Sequence, residues 1–335
     1  MAIIIQDNPT PSDALLSALQ AHLPFSLPLL RRLQFTRKFN NLCSTPSTHI
    51  LYASPLDSNA AQDHFAAAYV DLSNGPETEC WLYTTLEDHT ETTNPCAVSL
   101  SLPDDEAALC DTLVQALLRR IRALDQQHDD RDSDNSNNND NKRRGTLVMG
   151  SLHEAVRRRM LAKLGVRMSK TPIVPDHVEW DWCGKWLFRV EELRHADDEQ
   201  QLPEGMSWDG VTREDTVLVR ARTKIPRQEE TLLRLPSTVI RLDNGTPIAW
   251  AFMGLDGSLM TLHVEEEYRG QGLAKAIGCR LMRDHIKDYG EDGWRAADVM
   301  ITNLQSQGVC KSIGGKLAWT VSWAVVDLLS VGDAM

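Results

Sequence analysis

A chain of 335 residues, 42% of them hydrophobic, has enough apolar surface for one large core or two ordinary domains, and two fits the length better. A formal net charge of −12 and a pI near 5.3 exclude broad binding to nucleic acid or to an anionic membrane as the main task, so any anion site must be local. Seven scattered cysteines (Cys43, Cys80, Cys96, Cys110, Cys183, Cys279, Cys310) form no C-x-x-C pair, which fits a reducing, cytoplasmic setting and gives no metal signature.

In chain order, Ile3-Ile4-Ile5 is too short and too poor in basic flanks for a signal peptide or a membrane span, so a soluble intracellular protein is expected. Ser12-Asp13 before Leu15, Leu16 and Leu19 predicts an N-capped helix that Pro24 and Pro28 terminate. Strands are expected over His49–Ala53, Phe65–Leu72 and Cys80–Leu86. From Asp104 to Asp125, Leu109, Leu113, Leu117, Ile121 and Leu124 recur at helical spacing, with acids in the first turn and arginines in the last. The polar stretch 126–144 cannot bury enough surface to offset its ordering entropy and is expected to be a mobile loop. Thr146–Met149 then reads as a strand and His153–Leu164 as a helix closed by Gly165. This alternation of strands and helices indicates an α/β domain over residues 1–200.

Trp180, Trp182 and Trp186 form an aromatic cluster suited to a ligand wall or, more commonly, a domain junction. A second domain is expected over 205–335. Periodicity leaves Asp215–Arg222 open between helix and strand, whereas Arg227–Leu235 before Pro236 reads as a helix. Asp243-Asn244-Gly245 between Thr238–Leu242 and Pro247–Met253 is a hairpin signal, because Asn-Gly takes the positive φ angles of a tight turn. A strand over Ser258–Glu265 follows, then Tyr268-Arg269-Gly270-Gln271-Gly272-Leu273-Ala274, then a helix with Ile277, Leu281 and Ile286 on its apolar side. Ala297–Thr302, Asn303–Gly314 and Leu317–Leu329 complete the order β-β-β, loop, α, β, α, β.

A glycine loop between a strand and a helix start aims backbone N–H groups at one point, where the helix N-terminus adds about half a positive charge. A phosphate oxygen can approach that backbone only if no Cβ stands in the way. Gly270 and Gly272 meet the requirement, and Arg269 adds charge at the mouth.

The element order, with Arg269-x-x-Gly272-x-Ala274, resembles the GNAT superfamily of acyl-CoA-dependent N-acyltransferases. Gly245-Thr246-Pro247-Ile248-Ala249-Trp250, the Asp256-Gly257 turn and Glu267-Tyr268-Arg269 are similar to its glycine N-acyltransferase-like branch, as is Leu23-Pro24-x-Ser26-Leu27. The resemblance implies a mixed-sheet GNAT fold in the C-terminal half and a degenerate GNAT-like N-terminal half. It implies acetyl-CoA or another acyl-CoA as co-substrate, no metal, and contacts from His263, Val264, Arg269, Gly270, Gln271, Gly272, Leu273, Ala274, Asn303 and Ser306. In that superfamily the strands on either side of the cofactor splay apart, and backbone groups near His263 and Val264 would bind the pantetheine amides.

Two positions depart from the pattern. Ser258 stands where relatives carry a glutamate base, and Cys310 where many carry a tyrosine acid. His263 is the substitute base, with an ordinary pKa of about 6.5, and Ser258, Ser306 and Cys310 complete the catalytic candidates. Asp256, Glu265 and Glu266 are further candidates. The expected reaction moves an acyl group, most simply acetyl, from coenzyme A to a primary amine of a small molecule. The alternatives are an acyl-CoA-binding module with little catalysis and a protein N-acetyltransferase.

Overall fold

The computed structural model describes residues 2–39, 45–56, 64–74, 77–94, 97–132, 145–171, 182–193, 202–223, 225 and 227–332. The chain falls into two units, Met1–Trp182 with Trp319–Met335, and Cys183–Ala318. Both boundaries differ from the division near 200 expected from the sequence. Trp182–Arg189 pairs with a strand of the second unit, and Lys316–Asp327 carries the chain back into the first.

The first unit opens with β1 (Ile3–Asn8), α1 (Asp13–Ala21), α2 (Leu27–Lys38), β2 (Thr48–Pro55), β3 (Ala66–Asp71) and β4 (Cys80–Thr84). Pro28 does not end a helix here but lies in the first turn of α2, where its missing N–H costs no hydrogen bond. Next come the hairpin β5 (Thr90–Asn94) and β6 (Ala97–Leu100), α3 (Asp104–Asp132), β7 (Thr146–His153), α4 (Glu154–Ala162) and β8 (Met168–Lys170). Because α3 runs to Asp132, residues 126–132 are helical rather than part of a loop, and the rest of the expected loop, 133–144, lies outside the described residues.

The sheet of this unit has the order β1-β2-β3-β4-β7-β15, where β15 is Lys316–Asp327. Its ladders are antiparallel except β4 with β7, which are parallel and meet at Cys80 and Met149. Leu113, Leu117 and Ile121 of α3 are buried in one cluster with Leu51, Ala68 and Leu82 of the sheet. The helical spacing read from the sequence is thus the face that makes this core.

The second unit contains β9 (Trp182–Arg189), β10 (Met206–Asp209), α5 (Asp215–Arg222), α6 (Glu229–Arg234), β11 (Ser237–Leu242), β12 (Pro247–Met253) and β13 (Leu259–Val264). It continues with α7 (Leu273–Asp284), α8 (Ile286–Tyr289), β14 (Trp294–Met300) and α9 (Leu304–Ser312). Asp215–Arg222, open on periodicity, is a helix, with Asp215 in its first turn and Arg220 and Arg222 in its last. Antiparallel strands β10-β11-β12-β13 form one sheet, and β9 pairs antiparallel with β14. Val219 and Leu232 pack with Val239, Trp250 and Phe252 on one face. On the other face Gly278 of α7 lies close under Leu259.

Lys185 and Asp298 face each other across β9 and β14, with Nζ 2.6 Å from Oδ1 and side-chain exposures of only 1% and 3%. Desolvating both charges is costly, and removing one strands the other. Lys185→Met is therefore expected to cost about 3–5 kcal/mol in urea unfolding, whereas Lys185→Met with Asp298→Leu recovers most of the loss. An unchanged urea midpoint for the single variant would show that the pair is not effectively desolvated.

Candidate functional site: a forked strand pair and a glycine cradle

β13 and β14 touch at one parallel bridge, Ser258 with Ala296. Both strands run away from that bridge, and β13 is the last strand of its sheet. They therefore open as a fork toward Val264 and Met300, and the edge of β13 facing the fork carries backbone groups without a strand partner.

A bulge shapes β13. Trp250 is opposite His263 and Phe252 opposite Met260, so two steps on β12 match three on β13. Thr261 takes up the extra residue at φ +53°, a strained angle for a β-branched side chain. The bulge puts Met260 and His263 on the face of Trp250 and Phe252, which α5 and α6 cover. His263 stacks on the Trp250 indole with ring centroids 4.7 Å apart and planes 19° from parallel. Its Nε2 is shielded from solvent and has no hydrogen-bond partner among the described residues, and a carboxylate oxygen, Glu265 Oε2, is 3.8 Å away. Burial holds His263 below its ordinary pKa, Arg269 and Arg222 push the same way, and Glu265 opposes them.

At the mouth of the fork, Gly270 and Gly272 have φ of +82° and +83°, and a Cβ on either would meet nothing within 4 Å. These glycines are needed for backbone conformation and for open space above the loop, not for tight packing. The N–H groups of Gly270, Gln271, Gly272, Leu273 and Ala274 find no acceptor among the described residues. Gly272 is the N-cap of α7, whose first turn carries no acid. The donors and the helix dipole together fit an anionic pyrophosphate. Arg269 is exposed and braces the loop, its Nε donating to the Val264 carbonyl at 3.0 Å, while the Val264 side chain is buried. Asn303 caps α9 by accepting from the Ser306 N–H at 3.0 Å, just beyond the other arm of the fork.

Two catalytic candidates do not fit their expected work. Ser258 sits at the closed end of the fork, and its hydroxyl donates to Asp256 Oδ1 at 2.6 Å with both side chains buried. Cys310 is buried, and desolvation pushes its thiol up to about 12, so proton donation to a thiolate of ordinary pKa is uphill. The sequence missed the Trp250 stack, the Thr261 bulge and the contact of Arg222 Nε with Glu265 Oε1 at 2.9 Å. Only the alternation of β12 pointed to Trp250, and nothing local pointed to Arg222. Among the described residues no group of three or more His, Cys, Asp or Glu could hold a metal ion, and no helix is long and apolar enough to cross a membrane.

The description "Acyl-CoA N-acyltransferase verG N-terminal domain" matches residues 2–179, a little over half of the chain. The chain belongs to this acyl-CoA N-acyltransferase family. Solved structures similar to the chain along its length include a Drosophila protein, 13% identical, with 97% of this chain and 99% of that one covered at a TM-score of 0.61. A tandem GNAT protein from the clavulanic acid biosynthesis pathway is 12% identical, covering 100% of both chains at a TM-score of 0.52. A GCN5-related N-acetyltransferase from Sphaerobacter thermophilus is 10% identical, covering 97% and 96% at a TM-score of 0.50. None of the curated proteins matches. At such identities the likeness speaks for the fold, a mixed α/β fold of two GNAT-like halves.

Gly272→Glu puts a carboxylate into the cradle and is expected to abolish acetyl-CoA binding in calorimetry while circular dichroism stays unchanged. Unaltered affinity would show that the phosphate seat lies elsewhere. His263 offers a test through stability. Its folded pKa is below the unfolded value, so the unfolded state binds protons first as pH falls below about 6.5, and stability drops through the window down to the folded pKa. His263→Asn is expected to flatten that part of the urea-midpoint against pH curve, and a curve that keeps its slope would contradict the assignment.

Proposed function

We propose that this chain is an N-acyltransferase of the GNAT superfamily that moves an acyl group, most simply acetyl, from coenzyme A to a primary amine of a small molecule. The observation that carries the reading is the β13–β14 fork with a glycine cradle of unpaired N–H groups at its mouth. In this reading Arg269 and the backbone of Gly270 to Ala274 hold the pyrophosphate. Backbone groups of β13 near His263 that have no strand partner on the fork side pair with the pantetheine amides as an added strand would. Asn303 and Ser306 line the opposite arm.

Attack on the thioester needs a neutral amine, and a neutral imidazole supplies the base. His263 suits that task because burial keeps it unprotonated near neutral pH and the stack on Trp250 fixes its ring. Ser258 and Cys310 have no part in the proposal, since one is bound to Asp256 and the other holds its proton too tightly. Without an evident acid for the thiolate, a second reading is an acyl-CoA-binding module with little turnover.

The motif over Gly245–Trp250 and the Asp256-Gly257 turn support placement near the glycine N-acyltransferase-like branch. A reducing, cytoplasmic setting goes with the reading, since seven scattered cysteines form no C-x-x-C pair.

Calorimetric titration with acetyl-CoA, followed by thiol release over a panel of amines, tests the proposal. Saturable binding and amine-dependent release are expected. Absence of binding sinks the acyltransferase reading, and binding without release for any amine moves the function to the second reading.

A further inference from the structure

The fork has a closed end, and its depth can be set against the arm that would lie in it. The glycine cradle follows the C-terminal end of β13, so an arm anchored there runs back along the strand from Val264 toward Ser258. A pantetheine arm with its two amides is about as long as four extended residues, ~14 Å. A strand advances about 3.3 Å per residue, and four steps back from Val264 bring the sulfur to Met260 and Thr261, at the bulge. Just beyond, the Ser258–Ala296 bridge joins the two strands. An acyl tail carried on the sulfur therefore cannot continue straight on and has to turn onto one face of the sheet.

The two faces offer different room. On one, α7 covers the strand closely: Leu259 is buried, and its Cδ2 lies 3.4 Å from where a Cβ on Gly278 would stand. On the other, Val219, Leu232, Trp250 and Phe252 form a core in which none is more than 1% exposed. At the edge of that core Met260, Leu218 and Leu255 are only partly buried, and Met260 is the one carried by β13 itself. Its sulfur lies 3.2 Å from the position that a Cβ on Gly254 would take, so the thioether fills the hollow that this glycine leaves. An unbranched, polarizable side chain of this kind adapts its shape to what it meets.

We propose that Met260 sets the length of the acyl group: its side chain ends the space open to the tail, and the donors are short, unbranched apolar acyl groups. This rests on the acyltransferase reading of the fork and names the donor class for that same site. Each methylene laid on an apolar wall is worth about fourfold in affinity, and one forced into filled space is costly by at least as much. Affinity therefore rises with chain length and then falls, and Met260 fixes where the fall begins. Met260→Ala removes Cγ, Sδ and Cε, which opens room for about three methylenes.

Calorimetric titration of the full chain with CoA and with acetyl-, butyryl-, hexanoyl- and octanoyl-CoA tests this without an acceptor. The readout is the affinity for each thioester divided by the affinity for CoA, so a general weakening of the site cancels. In wild type the ratio is expected to fall about tenfold or more between butyryl-CoA and octanoyl-CoA. In Met260→Ala the fall comes later in the series, and the ratio for octanoyl-CoA rises about tenfold or more over wild type. Met260→Leu, of similar volume, restores the wild-type profile. A wild-type ratio that does not fall, or an unmoved profile in Met260→Ala, overturns the proposal.

Urea midpoints show whether each variant is folded. Met260→Trp extends the wall and is expected to move the fall the other way, toward acetyl-CoA, which decides the matter should the alanine variant not fold; an unmoved profile there overturns the proposal equally. Failure of the acyltransferase reading has a different signature, since wild type then binds neither CoA nor any of its thioesters, and the wall falls with the fork. Binding of CoA with a flat chain-length profile keeps the fork and removes the wall.

Discussion

The Ser258–Ala296 bridge joins β13 and β14 at one end and leaves them apart at the other. Everything at the site follows from that single contact. Were the ladder to continue, the facing N–H and C=O groups would satisfy each other, and no extended ligand could lie between the strands. Because it stops, the edge of β13 stays chemically open, and the loop that follows β13 leads to the helix start beyond its open end. The bulge at Thr261 works with the fork, turning Met260 and His263 to one face while the strand bends away from its neighbour.

The first unit carries the same strand arrangement without the same chemistry. β4 and β7 are parallel and meet at Cys80 and Met149, which is again a fork. The segment from Thr85 to Pro103 contains no glycine, and the helix that follows begins with Asp104, Asp105 and Glu106. Three carboxylates at a helix N-terminus use the dipole for themselves and repel a phosphate. The two halves thus share a fold and differ in the few residues that decide whether an anion is welcome, so fold and activity must be argued separately here.

What could be read ahead of the structure was local. Asn244-Gly245 announced the hairpin, Gly270 and Gly272 the loop, and Leu113, Leu117 and Ile121 the buried face of α3, because turn geometry and helical period are written in neighbouring residues. The stack of His263 on Trp250 depends on strand register, and register here is shifted by a bulge that Thr261 does not signal. Arg222 and Glu265 are 43 positions apart, and their contact exists only once α5 packs on the sheet. The unit boundaries were hidden for the same reason, since which strand pairs with which is a long-range choice. Ser258 shows a subtler limit: its position in the sequence is informative, but its bond to Asp256 appears only in the folded turn.

The return of the chain through β15 has a consequence for synthesis. β7 is bordered on one side by β4 and on the other by residues from Val321 to Asp327. On the ribosome, most of the first unit emerges before the second, yet it lacks its closing strand until the second unit has been made. Through that interval β7 offers a bare edge to any other strand, the exposure that leads to aggregation in growing chains. Completion of the first unit therefore depends on β15 as much as on the strands made before it. A premature stop a few residues before Val321 would leave the second unit's fork intact while denying the first unit its final ladder.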